Sequence, residues 1–309
     1  MALKELDFPS FNGRDTIKAW VYTPIREPRA IVQVVHGFME HSRRYLYVIL
    51  ELIDAGFVVA ADDHVGHGKT AADSDTWGDS GGTGYMTTTE DEKRLHDLVC
   101  ASYPDLPFFM FGHSWGSMIA RNYAAHYGAD LAGLIICGTP GKLETISPLA
   151  PVLTARIAEG KGKESEPELL GMLFAGMTDR YDNPQTPIDW ISADPDVVKD
   201  HAADPFNNHK RVPDNQSLSE FVELSEAITG VQWAERVPEK LPIYNIAGDG
   251  DPVGSYGEGV YAVSNWLANT GHRHVSTHLY PGHRHEIHND RDIRYEVISG
   301  VIKFIYRIM

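Results

Sequence analysis

Ser114 lies at the centre of Gly112-His113-Ser114-Trp115-Gly116, a G-x-S-x-G pattern. An apolar run at 107–111 leads into it, and a helix-forming run at 117–124 leads out. Between a strand and a helix, such a turn holds its serine in a strained backbone conformation with the hydroxyl clear of the sheet. Flanking glycines suit a place where strand and helix pass too close for side chains. Taken alone, the five residues also fit a tight turn around a buried serine. A serine hydroxyl becomes a nucleophile only with a base to take its proton, an acid to hold that base's tautomer, and donors for an oxyanion. The chemistry in question is acyl transfer, and the rest of the chain must supply these partners at strand ends.

The segment 241–247 reads as a strand, followed by Gly248-Asp249-Gly250-Asp251-Pro252-Val253. Asp251 is the favoured acid, deeper in the loop and with Pro252 fixing the turn after it. Asp249 stays as the alternative, and a turn aspartate bonding its own backbone accounts equally for either. The segment 274–280 reads as the last strand. After it, His283, His285 and His288 compete for the base. The order serine, acid, histidine is the α/β-hydrolase order. For the oxyanion, one donor is the Trp115 backbone N–H. The other comes from the loop after the strand ending at Val35, where Phe38 N–H fits best. His272-x-His274 and His283-x-His285 raise the question of zinc, but there is no H-E-x-x-H helix and no cysteine ligand beside them. No metal and no cofactor are expected.

These residues need a sheet to position them. Segments 3–9 and 17–23 read as a hairpin turning at 12–15. A β-branched run at 30–35 reads as an inner strand, followed by a helix over 45–55 and a strand over 57–62. The polar stretch 63–89 reads as a long loop. A helix is expected from Glu90-Asp91-Glu92, with these acids in its first turn, to about residue 103. A strand is expected at 131–137, a helix at 258–269, and a one-faced apolar helix at 293–308. Between 142 and 240 no strand is evident. Two apolar stretches, 148–157 and 169–177, flank the polar 159–168 and read as parts of an inserted helical cap. The expected fold is α/β: a mostly parallel central sheet flanked by helices, with a core of 1–141 and 241–309 and the cap at 142–240.

The 309 residues carry a net charge of −16, which repels nucleic acid and anionic lipid. Cys100 and Cys137 sit in apolar stretches and read as free core thiols, as in a reducing compartment. No apolar stretch opens the chain, so no signal peptide is expected, and no run reaches the roughly 20 residues of a membrane span. The placement that follows is cytoplasmic, without a transmembrane segment. Transient lipid contact through the cap and the oligomeric state stay open.

The motifs resemble the monoacylglycerol lipase and lysophospholipase group of α/β-hydrolase serine hydrolases. His36-Gly37-Phe38-Met39-Glu40-His41-Ser42-Arg43-Arg44-Tyr45 resembles the group's HGxxEHSxRY stretch, and Asp63-His64-Val65-Gly66-His67-Gly68 its D-x-x-GHG stretch. Ser114 stands in its serine elbow. The acid loop fits G-x-x-D-x-V, which implies Asp251, and Gly282-His283-Arg284-His285-Glu286 fits G-x-x-HE, which implies His285. Asp189-Trp190-Ile191-Ser192 through Asp204-Pro205 is similar to bacterial members. Phe38 and Met39 are bulkier than the group's usual residues, and Trp115 replaces its usual Met. Both oxyanion donors are backbone groups and survive the change. The side chains are expected to crowd the site and favour shorter acyl groups.

The resemblance implies a carboxylic-ester hydrolase acting on monoacylglycerol-like or lysophospholipid-like esters through Ser114, Asp251 and His285. Two other readings stand beside it. A peptidase on the same scaffold would need cap acids for a substrate amine, drawn from Glu159, Glu164, Glu166, Glu168, Asp179 and Asp182. A ligand-binding protein on a hydrolase scaffold commonly lacks a triad member, whereas here all three candidates are present.

Overall fold

The computed structural model describes residues 2–207 and 211–309. The chain opens with β1 (Ala2–Pro9), β2 (Thr16–Thr23), β3 (Ala30–Val35) and α1 (Leu46–Asp54). Then come β4 (Phe57–Asp63), α2 (Gly68–Ser74), α3 (Met86–Cys100), β5 (Phe108–His113), α4 (Trp115–Tyr127) and β6 (Gly133–Cys137). Five helices follow: α5 (Ile146–Ala158), α6 (Pro167–Leu173), α7 (Pro195–Ala203), α8 (Asn215–Ala227) and α9 (Val231–Ala234). The chain closes with β7 (Ile243–Gly248), α10 (Glu258–Asn269), β8 (Val275–Tyr280) and α11 (Arg294–Ile308).

The strands form one sheet in the order β1-β2-β4-β3-β5-β6-β7-β8. β2 runs antiparallel to β1 and to β4, and all pairings from β4 through β8 are parallel. Strands β3 to β6 are buried on both faces, so their sequences are mostly apolar rather than alternating, with Gln33, Asp62, Asp63 and His113 as polar exceptions. Each strand still feeds two cores. β3 sends Ile31 and Val35 one way and Val32 and Val34 the other, and β5 likewise separates Phe108 and Met110 from Phe109 and Phe111. Helices α3, α4, α8 and α10 close the first core, and α1 and α11 the second.

Two expectations are corrected. The stretch 63–89 is not all loop, since it contains α2 and the start of α3. Because α3 begins at Met86, the acids lie in its second turn, and two of them point inward. Asp91 accepts hydrogen bonds from the Ser10 hydroxyl and the Phe11 N–H, and Glu92 lies against Gln33 of β3. Thr87, Thr88 and Thr89, poor helix formers by propensity, are buried in the first turn, and packing overrides propensity there. Between β6 and β7 the regular elements among the described residues are all helices, joined by turns and irregular stretches such as 174–194. Leu218, Phe221 and Leu224 of α8 belong to the first core, so this helix is built into the body of the molecule.

Candidate active site

β5 ends against α4 with no connecting loop, which forces the elbow at Ser114. Its backbone, at φ 54° and ψ −122°, lies outside the regions open to most residues. The Ser114 N–H donates to the Cys137 carbonyl (2.9 Å), and its own carbonyl accepts from Ser117 N–H (2.9 Å) and hydroxyl (2.6 Å). A Cβ on Gly112 would lie 2.3 Å from the Gly116 carbonyl oxygen, and one on Gly116 would lie 2.2 Å from that of Val35. Neither position admits a side chain.

Asp251 follows β7 and His285 follows β8. His285 Nδ1 lies 2.9 Å from Asp251 Oδ2, while Asp251 Oδ1 accepts the Val253 N–H at 2.9 Å. Both side chains are buried. Burial opposes the charging of His285, but the carboxylate of Asp251, with Glu286 and Glu40 behind it, outweighs that and raises its pKa above 6.5. His285 and Ser114 line one cavity of about 400 Å³. The competing residues have other partners. Asp249 accepts the Gly282 N–H (2.7 Å) and so braces the histidine loop. His283 pairs with Asp290 at 2.9 Å, and His288 stacks on the Tyr45 ring. His272 is held by the Leu267 and Val237 carbonyls, at the end of α10.

Trp115 is the first residue of α4, so its N–H has no intrahelical acceptor, and the positive end of the helix dipole lies beside Ser114. On the other side, a Cβ on Gly37 would lie 3.3 Å from Ser114 Cβ, which brings the Phe38 peptide next to the serine. The Phe38 ring packs edge-on to Trp115 and against Phe221, with ring centres 5.4 and 4.9 Å apart. Phe38 lines the large cavity. Trp115 does not, and instead borders a separate apolar recess of about 40 Å³ that also reaches Ser114.

Sequence reasoning missed a buried network behind this loop. Glu40 Oε1 accepts from Gly37 N–H and from the Tyr45 hydroxyl, both at 2.6 Å. Arg44 bridges Glu40 (3.1 Å) and Glu286 (2.6 Å). Burial opposes charge on Glu40, yet His113 and Arg44 hold its carboxyl well below the usual range. Glu286 is held low in the same way, by Arg44 and then His201 against burial. His113 stands between the Tyr45 hydroxyl (2.8 Å) and the His285 carbonyl (3.3 Å). The signal was present, since Glu40, Arg44 and Tyr45 all belong to the motif that carried the resemblance, but a motif does not show what its members bind. Three buried groups among the described residues bring metal-type donors together: His113, Cys137 and His288; Glu40, His201 and Glu286; and Asp62, His64 and Glu92. The second already holds the Arg44 guanidinium.

The geometry suits acyl transfer at Ser114. Residues 26–292 match the model of the family described as serine aminopeptidase, S33. The chain is 65% identical to a highly thermostable carboxyl esterase from Bacillus coagulans, solved in complex with glycerol, over 100% of this chain and 99% of that one, with a TM-score of 0.97. It is 39% identical to a lipase solved in an open form, over 99% of both chains, with a TM-score of 0.93. Among curated proteins, a monoacylglycerol lipase of Mycolicibacterium smegmatis is 27% identical over 276 residues, 87% of this chain and 86% of that protein.

Proposed function

The chain belongs to the serine aminopeptidase, S33 family of α/β-hydrolases and is an ester hydrolase of the esterase and monoacylglycerol lipase type, and from that premise we propose a serine mechanism on a monoacylglycerol-like or lysophospholipid-like ester. Ser114 Oγ attacks the ester carbonyl while His285 takes its proton, oriented by Asp251. The Phe38 and Trp115 N–H groups receive the oxyanion. His285 returns the proton to the departing alcohol, then activates the water that hydrolyses the acyl-enzyme. The observation that carries this reading is the shared cavity: a serine in a strained turn and a histidine bonded to a buried aspartate line the same 400 Å³ space.

The cavity wall supports the substrate class. Leu170, Phe174, Pro187, Ile188 and Ile191 are apolar, while Glu40, His201 and Glu286 gather polar groups at one part of it. An apolar acyl chain with a small polar alcohol suits that division. Both carboxylates face Arg44, and an uncharged polyol fits beside them better than a phosphate. The wall residues 170–191 come from the segment 142–240, which we read as a cap that keeps water from the acyl-enzyme. Free Cys100 and Cys137 support the cytoplasmic placement.

The family description gives the peptidase reading its place. Of the acids it would use, Glu159, Glu164, Glu168, Asp179 and Asp182 are exposed, and Glu166 pairs with Arg156. None of the six lines the cavity. The test is a turnover panel of p-nitrophenyl esters of graded length, monoacylglycerols, a lysophospholipid and an amino-acyl amide. Ester turnover should fall by about 10⁴-fold or more in Ser114→Ala. Preference should lie with shorter chains, because the bulky Phe38 and Met39 stand in the cavity wall beside Ser114. Undiminished turnover in Ser114→Ala overturns the mechanism, and faster amide than ester cleavage overturns the substrate class.

A further inference from the structure

We propose that Tyr181, in the segment between β6 and β7, is a positioning residue that holds the acid loop and the base loop in register; the proposal rests on the serine-hydrolase reading above. Its hydroxyl donates to the Gly250 carbonyl at 2.7 Å, the peptide immediately before Asp251. Its ring carries the guanidinium of Arg284, 4.0 Å from the ring centre, and Arg284 immediately precedes His285. One side chain therefore touches the residue ahead of the acid and the residue ahead of the base.

The neighbours of Tyr181 extend the same grip. Arg284 Nη1 donates to the carbonyls of Asp189 and Ser192. Between those two residues, the Trp190 carbonyl accepts the His285 N–H at 3.4 Å, and the Ile191 carbonyl accepts the Glu286 N–H at 2.7 Å. The Trp190 ring lies 5.1 Å from the His285 ring, centre to centre. On the acid side, Arg180 covers the Tyr256 ring at 4.2 Å, and Tyr256 N–H donates to the Asp251 carbonyl at 2.8 Å. Ser255 and Tyr256 have φ of 50° and 56°, a conformation that non-glycine residues keep only where surroundings enforce it.

Asp251 and His285 come from the ends of two strands and meet through one 2.9 Å hydrogen bond. Direct braces between their loops run from Gly250 N–H to the His283 carbonyl and from Gly282 N–H to Asp249. Tyr181 adds a brace from the inserted segment. Small displacements in a catalytic hydrogen bond are costly to rate. In this arrangement the insertion does more than cover the substrate, because it sets how firmly the base is oriented.

The test compares wild type, Tyr181→Phe, Arg284→Gln and, as a surface control, Tyr261→Phe. Turnover of p-nitrophenyl butyrate is followed across pH, together with fluorophosphonate labelling of Ser114 and the downfield Nδ1–H proton resonance of His285. Tyr181→Phe keeps the ring and loses one hydrogen bond, so kcat should fall about fivefold with KM within about twofold. The acid limb of kcat/KM should move to lower pH as the Asp251 contact loosens, and the downfield proton should shift. Tyr261→Phe should match wild type. A folded Tyr181→Phe with unchanged kcat, limb and resonance overturns the proposal, as does an effect on KM alone. If Tyr181→Phe does not fold, Arg284→Gln must show the limb shift, and its absence overturns the proposal. Wild type without ester turnover or labelling would refute the serine-hydrolase reading itself, whatever Tyr181 does.

Discussion

Asp251 makes His285 a stronger base than an isolated imidazole, and the pH dependence of activity follows from the sign of that effect. In the proposed mechanism His285 must be neutral to accept the Ser114 proton. Its pKa in the folded protein is raised, with Asp251 outweighing burial, so kcat/KM should fall on the acid side with a midpoint above 6.5. Asp251→Asn removes the carboxylate and lets burial dominate. The midpoint should move below that of wild type, while kcat drops by about 10⁴-fold through loss of the correct tautomer. A pH–rate profile of the two proteins checks both effects, and an unmoved midpoint would show that Asp251 is not the group facing the base. Ser114, Asp251 and His285 were legible as candidates because each stands in a short motif after a strand-like run. Spacing alone did not separate Asp251 from Asp249, or His285 from its two neighbours. The folded contacts distinguish them: Asp251 faces His285, whereas Asp249 faces Gly282 and His283 faces Asp290. Tyr181 and Trp190 could not be found this way, since their partners are more than sixty residues distant and no pattern links them.

Helix α4 shows how the elbow is anchored. Arg121, on this helix, is fully buried, and its guanidinium donates to the Pro140 carbonyl (2.8 Å) and the Ile228 carbonyl (2.6 Å). It lies 4.5 Å from the centre of the Trp233 ring, whose Nε1–H donates to the Arg121 carbonyl at 2.9 Å. One side chain thus ties the helix that follows Ser114 to the chain leaving β6 and to the end of α8. Burial pulls the Arg121 pKa down to about 9, the mark of a charge held without a close counter-ion among the described residues. Arg121→Met relieves that burden but leaves two carbonyls unpaired, and the second effect is the larger. Unfolding free energy should fall by about 3 kcal/mol, read from the urea midpoint, whereas Arg236→Ala on the surface should stay within about 0.5 kcal/mol. A midpoint unchanged in Arg121→Met would mean that the two carbonyls find other donors. The elements themselves were largely legible, because the inner parallel strands are mostly apolar and helices such as α1 and α11 are one-faced. The stretch 63–89 misled because Gly and Thr there serve close packing and a buried first turn, where composition suggests a loop.

The parallel strands deliver Ser114, Asp251 and His285 to one edge of the sheet, as such sheets do for their ligands. Leu170, Phe174, Ile188 and Ile191, from the segment between β6 and β7, line the cavity that Ser114 and His285 share, so this part of the insertion lies at the same edge. In the mechanism proposed above, substrate reaches that edge on a molecule whose 43 acidic and 27 Lys and Arg side chains leave it at −16. No helix among the described residues is long and apolar enough to cross a membrane. A lipid-like ester held in a bilayer must therefore be reached against the charge of an anionic surface. At about 10 mM salt, where the screening length is about 30 Å, monoacylglycerol in phosphatidylglycerol vesicles should be turned over roughly tenfold more slowly than in phosphatidylcholine vesicles. At about 1 M salt the screening length is about 3 Å, and the two rates should converge. Turnover of a water-soluble p-nitrophenyl ester should change little over the same range, which separates surface repulsion from any effect of salt on the catalytic groups. Faster turnover on the anionic vesicles at low salt would mean that a local docking face on the insertion overrides the net charge, and the repulsion argument would then fail.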